Sequence, residues 1–290
     1  MITHETNIKL LVDKGLVPED VEVISQTNNL ILRSRATKVV ARVSFSNTKT
    51  ERDDPQDASY SHGIAWAMAD RGLPVLRPLT PKPLTLDSMV VSLFPLAENV
   101  QITDQNYPEI AKVIEEFASF HTPGLRSVDI EKYTQDRLGK VQDQNYRANQ
   151  RLHDAITFAR LTHQKSFSFQ DAQVGTVHGD IHSGNMVRHE GKILLIDLDA
   201  TARGHLFYDF ASWRLRQELF DHSVNVEKIV DYARKSSKWD EEAYRALMGW
   251  KALSSLTYVL AYGDESTATQ HANAIGLAAK NLGALSWQEI

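Results

Sequence analysis

His178-Gly179-Asp180-Ile181-His182-Ser183-Gly184-Asn185, followed by Ile196-Asp197-Leu198-Asp199, is the stretch on which the reading of this 290-residue chain turns. Between the two blocks, residues 186–189 and 193–196 are short apolar runs separated by Glu190-Gly191, a pattern that predicts a hairpin. A loop after an extended segment at residues 175–178 presents Asp180 and Asn185, and the hairpin returns the chain so that Asp197 emerges beside that loop. Two carboxylates and one amide oxygen then converge, a donor set suited to a hard cation such as Mg²⁺ that also binds phosphates. An aspartate near such a metal is placed to take a proton from an attacking hydroxyl.

Composition narrows the chemistry from the other side. The chain has no cysteine, which excludes disulfides, thiolate metal sites, iron–sulfur clusters and cysteine nucleophiles. Catalysis is left to carboxylates, histidines, hydroxyls and hard metal ions. With 32 basic and 37 acidic residues the net charge is -5, without the positive excess that non-specific nucleic-acid binding needs. His4, Glu5, Lys9, Asp13 and Lys14 interrupt the apolar residues of the N-terminus, which therefore lacks the pattern of a signal peptide. No run approaches the roughly 18 apolar residues of a membrane span. The expectation is a cytoplasmic protein without nucleic-acid or membrane partners, its oligomeric state left open.

Outward from the motif, the first hundred residues read as strand-rich. Residues 21–25, 29–33 and 38–44 suggest an antiparallel meander, and the polar residues 47–57 an exposed loop. A helix is expected over residues 58–71, with Ile64, Ala65, Met68 and Ala69 as its stripe and Gly72 with Pro74 as its stop. Strands are expected again at residues 75–79 and 89–94, the second stopped by Pro95. Later the period lengthens: Ile110, Val113, Ile114, Phe117, Phe120 and His121 follow Pro108 at helical spacing, up to Pro123-Gly124. Residues 129–163 form a polar helical region, and four helical patterns run from Phe207 to the end. No repeat or linker interrupts the chain, so the fold class is α+β. Two lobes are expected, residues 1–95 and 96–290, meeting near residues 94–99.

The sequence resembles the aminoglycoside phosphotransferase and choline kinase-like family, relatives of the protein kinases. His-Gly-Asp, four residues, then Asn matches residues 178–185, and the family's Ile-Asp segment matches Ile196-Asp197. The step from Asp180 to Asn185 also equals that of the protein-kinase catalytic loop. The resemblance implies a two-lobed kinase-like fold and an enzyme using ATP, or another nucleoside triphosphate, with Mg²⁺ to phosphorylate a small-molecule hydroxyl. It makes Asp180 the catalytic base, His178 a holder of the loop, and Asn185 and Asp197 the metal ligands. Asp209, in Tyr208-Asp209-Phe210-Ala211, would support the catalytic loop, and His182 is common in one branch of the family. In the N-terminal half, Val39-Val40-Ala41-Arg42-Val43 is similar to the strand carrying the phosphate-binding lysine, with Arg42 at that position. Charge is kept, while a point-like ammonium becomes a planar fork. Phe94 to Leu96 falls where the adenine-binding hinge should be, and Asn28 and Asn29 where a phosphate loop should turn.

Two positions depart from that pattern. Residues 24–30 contain no glycine, although Asn28 and Asn29 tolerate left-handed turns. Where the helix at residues 58–71 should offer a glutamate to the phosphate-binding cation, it has Ser61 or His62. Either that pair is absent or Asp57 or Glu51 supplies it. Arg42, between Val40 and Val43 on an apolar strand, is hard to explain as core and supports an anionic ligand. Asp199 reads as a solvated neighbour or a second metal ligand, and Trp213, close after Asp209, as a candidate pocket residue.

Two other readings stand beside the kinase. A metal-dependent hydrolase would use His178, Asp180 and His182, which alternate along an extended segment. A nucleotide-binding pseudokinase would follow from the missing glutamate and glycine-free loop. Neither a Walker A loop nor a Gly-x-Gly-x-x-Gly fingerprint is present. After Phe207 the acidic and basic residues nearly balance, so no cationic acceptor, and no antibiotic resistance, follows from the sequence.

Overall fold

Ile8, Leu11 and Val12 share one face of a helix, α1 (His4–Asp13), that the sequence reading passes over because charged residues interrupt its apolar stripe. Leu11 is fully buried against a sheet of five antiparallel strands. These are β1 (Glu22–Gln26), β2 (Leu30–Ser34), β3 (Val39–Phe45), β4 (Leu84–Leu86) and β5 (Met89–Pro95), in the order β1-β2-β3-β5-β4. Alternation sets the two faces. Leu30, Leu32, Ala41, Val43, Met89 and Val91 form the core with Leu11 and Val17. Arg42 and its cross-strand partner Ser92 belong to the other alternation, where α2 (Pro55–Asp70) contributes His62.

This computed structural model describes residues 4–26, 29–45, 55–122, 124–128, 130–141, 174–219 and 224–262. The chain divides into two compact units, Met1–Gln101 with Ser183–Ala200 and Ile102–His182 with Thr201–Ile290. The meander and the helix over residues 58–71 are present, the helix starting three residues earlier at Pro55, a residue suited to a first helical turn. The strand expected at residues 75–79 is not. Val75 makes one parallel bridge to Leu195, and Pro74 and Pro78 have no N–H with which to extend a ladder. Instead β4 supplies the fifth strand. The remainder of the first unit is β6 (Glu98–Asn99) beside the expected hairpin of β8 (Met186–His189) and β9 (Lys192–Leu195).

In the second unit, β7 (Val174–Val177) pairs with β10 (Ala202–His205), a strand not foreseen. Five helices accompany them among the described residues: α3 (Tyr107–Ala118), α4 (Ile130–Lys140), α5 (Tyr208–Leu219), α6 (Val226–Ala233) and α7 (Glu241–Tyr262). α3 packs on α6, and α7 on both α4 and α5. Phe120 and His121 lie beyond the end of α3, whose cap Ser119 donates its N–H to the Glu115 carbonyl at 2.9 Å. Gly175 lets β7 pass the end of α3. A Cβ there would stand 1.9 Å from the Ala118 carbonyl oxygen. Of the loop expected at residues 47–57, residues 55–57 open α2 instead; residues 47–54, most of the polar helical region (residues 142–163) and the last helical pattern (residues 263–290) lie outside the described residues.

Candidate active site

β7 delivers His178, fully buried, to the start of the motif. Gly179 then turns the chain with φ +85°, a conformation that favours glycine. Asp209, in the first turn of α5 and 1% exposed, accepts the backbone N–H of His178 at 2.7 Å and of Gly179 at 2.9 Å. Burial pushes its carboxyl above the ordinary value, against the opposing pull of His178 and those two amides. The His178 ring lies against Phe117 with centroids 6.0 Å apart, and its Nδ1 faces the Asp180 N–H at 3.4 Å.

Asp180 is thus held by its backbone while its side chain stays half exposed. His182 Nε2 is 3.7 Å from one carboxylate oxygen, and Arg216 Nη1 of α5 is 3.5 Å from the other. These neighbours, His182 foremost, bring its pKa down to about 2 despite partial burial. Like an ordinary aspartate the carboxylate is ionised at neutral pH, and these neighbours stabilise that form further. Trp213, 1% exposed, is a core residue of α5.

The other half of the motif lies in the first unit. Asn185, 6% exposed, closes a short 3-10 turn (Ser183–Asn185), and its carbonyl accepts the Ile196 N–H at 3.1 Å, tying the two ends of the hairpin together. Asp197 follows with φ +63°, a left-handed conformation uncommon outside glycine and costing on the order of 1 kcal/mol or more. Arg42 reaches this segment from β3. Both of its terminal nitrogens bond Asp199, Nη1 to Oδ1 at 2.7 Å and Nη2 to Oδ2, and Nη2 is also 3.6 Å from Asp197 Oδ1.

The remaining expected positions are placed as follows. Asn29 accepts the Ser44 hydroxyl at 2.6 Å, while Asn28 lies outside the described residues. Phe94 is on β5 opposite Val40, and the Leu96 N–H is engaged by the Lys38 carbonyl at 2.7 Å. Ser61 and His62 of α2 are buried. His62 Nε2–H donates to the Thr80 carbonyl at 2.9 Å, so Nδ1 accepts the Ser92 hydroxyl at 3.0 Å, and burial lowers the pKa of this neutral ring. Neither Glu51 nor the Asp57 side chain is among the described groups.

Two residues go beyond the sequence reading. Asp199 is neither merely solvated nor isolated, since it holds Arg42. Arg216 is seven residues after Asp209, hence on the same face of α5 two turns on, a spacing that could have drawn attention to it. Among the described residues no group of three or more His, Asp or Glu side chains could hold a metal, so His178, Asp180 and His182 do not form such a centre. Asn185 and Asp197 nevertheless offer oxygen donors, and two protein ligands leave places for water and phosphate oxygens, as Mg²⁺ prefers.

Sheet, helical part and motif together define a kinase-like phosphotransferase. The pattern of the phosphotransferase enzyme family (APH) matches residues 25–249, and the chain belongs to that family. Its activity is therefore transfer of a phosphoryl group to a hydroxyl of a small molecule. Solved structures share the fold at low identity. A microcompartment-associated aminopropanol kinase superposes with TM-score 0.66 at 15% identity, covering 96% of each chain. For a spectinomycin phosphotransferase in complex with ADP and spectinomycin the values are 0.64 and 14%, over 98% of this chain and 99% of that one. A choline kinase from Streptococcus pneumoniae gives 0.63 and 15%, over 98% and 100%. No curated protein matches the chain in sequence. Among the described residues, no helix is long and apolar enough to cross a membrane.

Proposed function

We propose that the chain is an ATP- and Mg²⁺-dependent small-molecule kinase in which Asp180 is the general base. Residues 1–95 are assigned as the nucleotide-binding lobe and residues 96–290 as the catalytic and acceptor-binding lobe. The observation that carries the reading is the half-exposed Asp180 carboxylate at the aspartate of the His-Gly-Asp motif, with His182 Nε2 at 3.7 Å and Arg216 Nη1 at 3.5 Å. Nucleotide use is supported by neighbours of the same fold, among them an amicoumacin kinase in complex with AMP-PNP and Ca²⁺. Bound MgATP supplies the phosphoryl group and, through its metal, partly neutralises the phosphates.

Each residue then has a defined task. Asn185 and Asp197 would hold the metal, and Arg42 would neutralise phosphate oxygens. Asp180 orients the acceptor hydroxyl and accepts its proton at a carboxylate oxygen. Asp209 and His178 hold the backbone from which Asp180 projects. On the acceptor side, Glu218, Glu227, Asp231 and Glu241 are already paired with Arg214, Arg234 and Arg245. They are not set aside for a cationic acceptor, so the acceptor class is left to experiment. ATP consumption measured over sugars, amino alcohols and aminoglycosides, with and without Mg²⁺, tests the proposal. Magnesium-dependent turnover of one class is expected, and normal turnover after Asp180→Asn would sink the assignment. Nucleotide binding with no transfer to any acceptor would instead point to the pseudokinase reading.

A further inference from the structure

Protein kinases hold their phosphate-binding cation by an ion pair with a helix carboxylate. In α2 the corresponding positions hold Ser61 and His62, both buried, and His62 is committed to Ser92 and the Thr80 carbonyl. Among the described residues, the carboxylate bonded to Arg42 comes from the segment that follows the hairpin. We infer that Asp199 is the residue that positions Arg42 for nucleotide phosphates, in place of a helix glutamate. The inference rests on the reading of Arg42 as the phosphate-binding cation.

Three observations support it. The contact is a two-pronged one, with each terminal nitrogen of Arg42 on a different Asp199 oxygen, which fixes the plane of the guanidinium as well as its distance. Only arginine can make this fork, since a lysine ammonium offers no planar pair of donors to two carboxylate oxygens. The Arg42 side chain is 15% exposed, so a guanidinium left without its carboxylate would be poorly solvated and would reorient. Asp199 is also two residues from Asp197, and Arg42 Nη2 is 3.6 Å from the Asp197 carboxylate. The cation and the proposed metal ligand are therefore set by one short segment.

Binding of a fluorescent ATP analogue in the presence of Mg²⁺, on protein shown to be folded by circular dichroism, tests the inference. Asp199→Asn and Arg42→Lys should each weaken binding about tenfold or more, and the double variant should be no weaker than the weaker single one. Asp199→Glu keeps the charge and should bind at least several-fold better than Asp199→Asn. Strictly additive losses, or equal losses for Asn and Glu, would show that the pair does not act as a unit and overturn the inference. So would wild-type or tighter affinity in Asp199→Asn, since Asp199 would then be competing with phosphate for Arg42. Wild-type protein that binds no nucleotide would overturn the kinase reading, and this inference with it.

Discussion

Asp209 accepts the backbone N–H of His178 at 2.7 Å, joining the first turn of α5 to the loop that carries Asp180. A side chain thus does for this loop what a neighbouring strand does elsewhere, satisfying amide donors that would otherwise be buried without partners. An asparagine at 209 could accept one of the two amide protons but would turn an N–H₂ toward the other. Asp209→Asn is expected to cost about 1–3 kcal/mol, read from urea unfolding, and to depress turnover although Asp209 touches no reactant. An unchanged unfolding midpoint would argue against this account.

Asp180→Asn leaves the loop backbone and its two amide bonds intact while removing the proposed proton acceptor. Turnover should fall by about 10²–10⁴-fold with nucleotide affinity within a few-fold of wild type. Steady-state kinetics alongside a binding titration separate the two effects. A parallel loss of affinity would mean that Asp180 acts on nucleotide binding.

The pH dependence of that base follows from its neighbours. With its pKa lowered to about 2, Asp180 stays ionised well below the ordinary carboxylate range, so its protonation contributes no loss of activity above about pH 3. Removing either neighbour raises the pKa of Asp180 and moves the acid limb upward. His182 is the larger cause, so His182→Gln should shift the limb further than Arg216→Gln. The reverse order in kcat–pH profiles would overturn the ranking.

His205 provides a separate, stability-linked signature. His205 is 5% exposed, its ring tilted against that of Phe207 with centroids 5.2 Å apart; the Phe207 N–H faces Nδ1 at 3.3 Å, and burial lowers the His205 pKa to about 4. A depressed histidine favours the neutral form in the folded state, so the unfolded chain binds the proton first as pH falls. Stability should be undiminished by this group above its ordinary value of 6.5 and decline as pH drops towards 4, by up to about 3 kcal/mol. Chemical unfolding at a series of pH values, compared with His205→Gln, checks it: the variant should lose the part of the slope between those values that His205 supplies.

Gly175→Ala tests the packing that sets β7 against the end of α3. The added carbon would lie 1.9 Å from the Ala118 carbonyl oxygen, and backbone cannot give way as a side-chain end can. A loss of about 1–3 kcal/mol is expected, visible as a lower Tm. A Tm within error of wild type would mean that the end of α3 yields at little cost.

The meander of β1 to β3, the helix α2 and the hairpin of β8 and β9 were legible in the linear sequence because each is a local pattern. Periodicity, turn residues and fixed spacing act over a few residues. α1, β4 and β10 escaped the same reading, the first because charges interrupt its stripe, the others because three or four residues carry no period. The false strand at residues 75–79 shows the limit from the opposite side: Val75 and Leu76 have the right side chains, but prolines on either side leave too few donors.

The site divides along the same line. Sequence alone singled out His178 to Asn185 and Asp197 as the residues proposed to carry the chemistry, since the motif's order is written in the chain. The resemblance already implied Asp209 as a support of the loop; tertiary structure decided how, through the His178 and Gly179 amides, and it alone paired Arg42 with Asp199 across 157 residues. Neither contact is encoded in a local spacing. Each follows from how strands and helices bury their apolar faces, which brings charged groups together in places where water can no longer screen them.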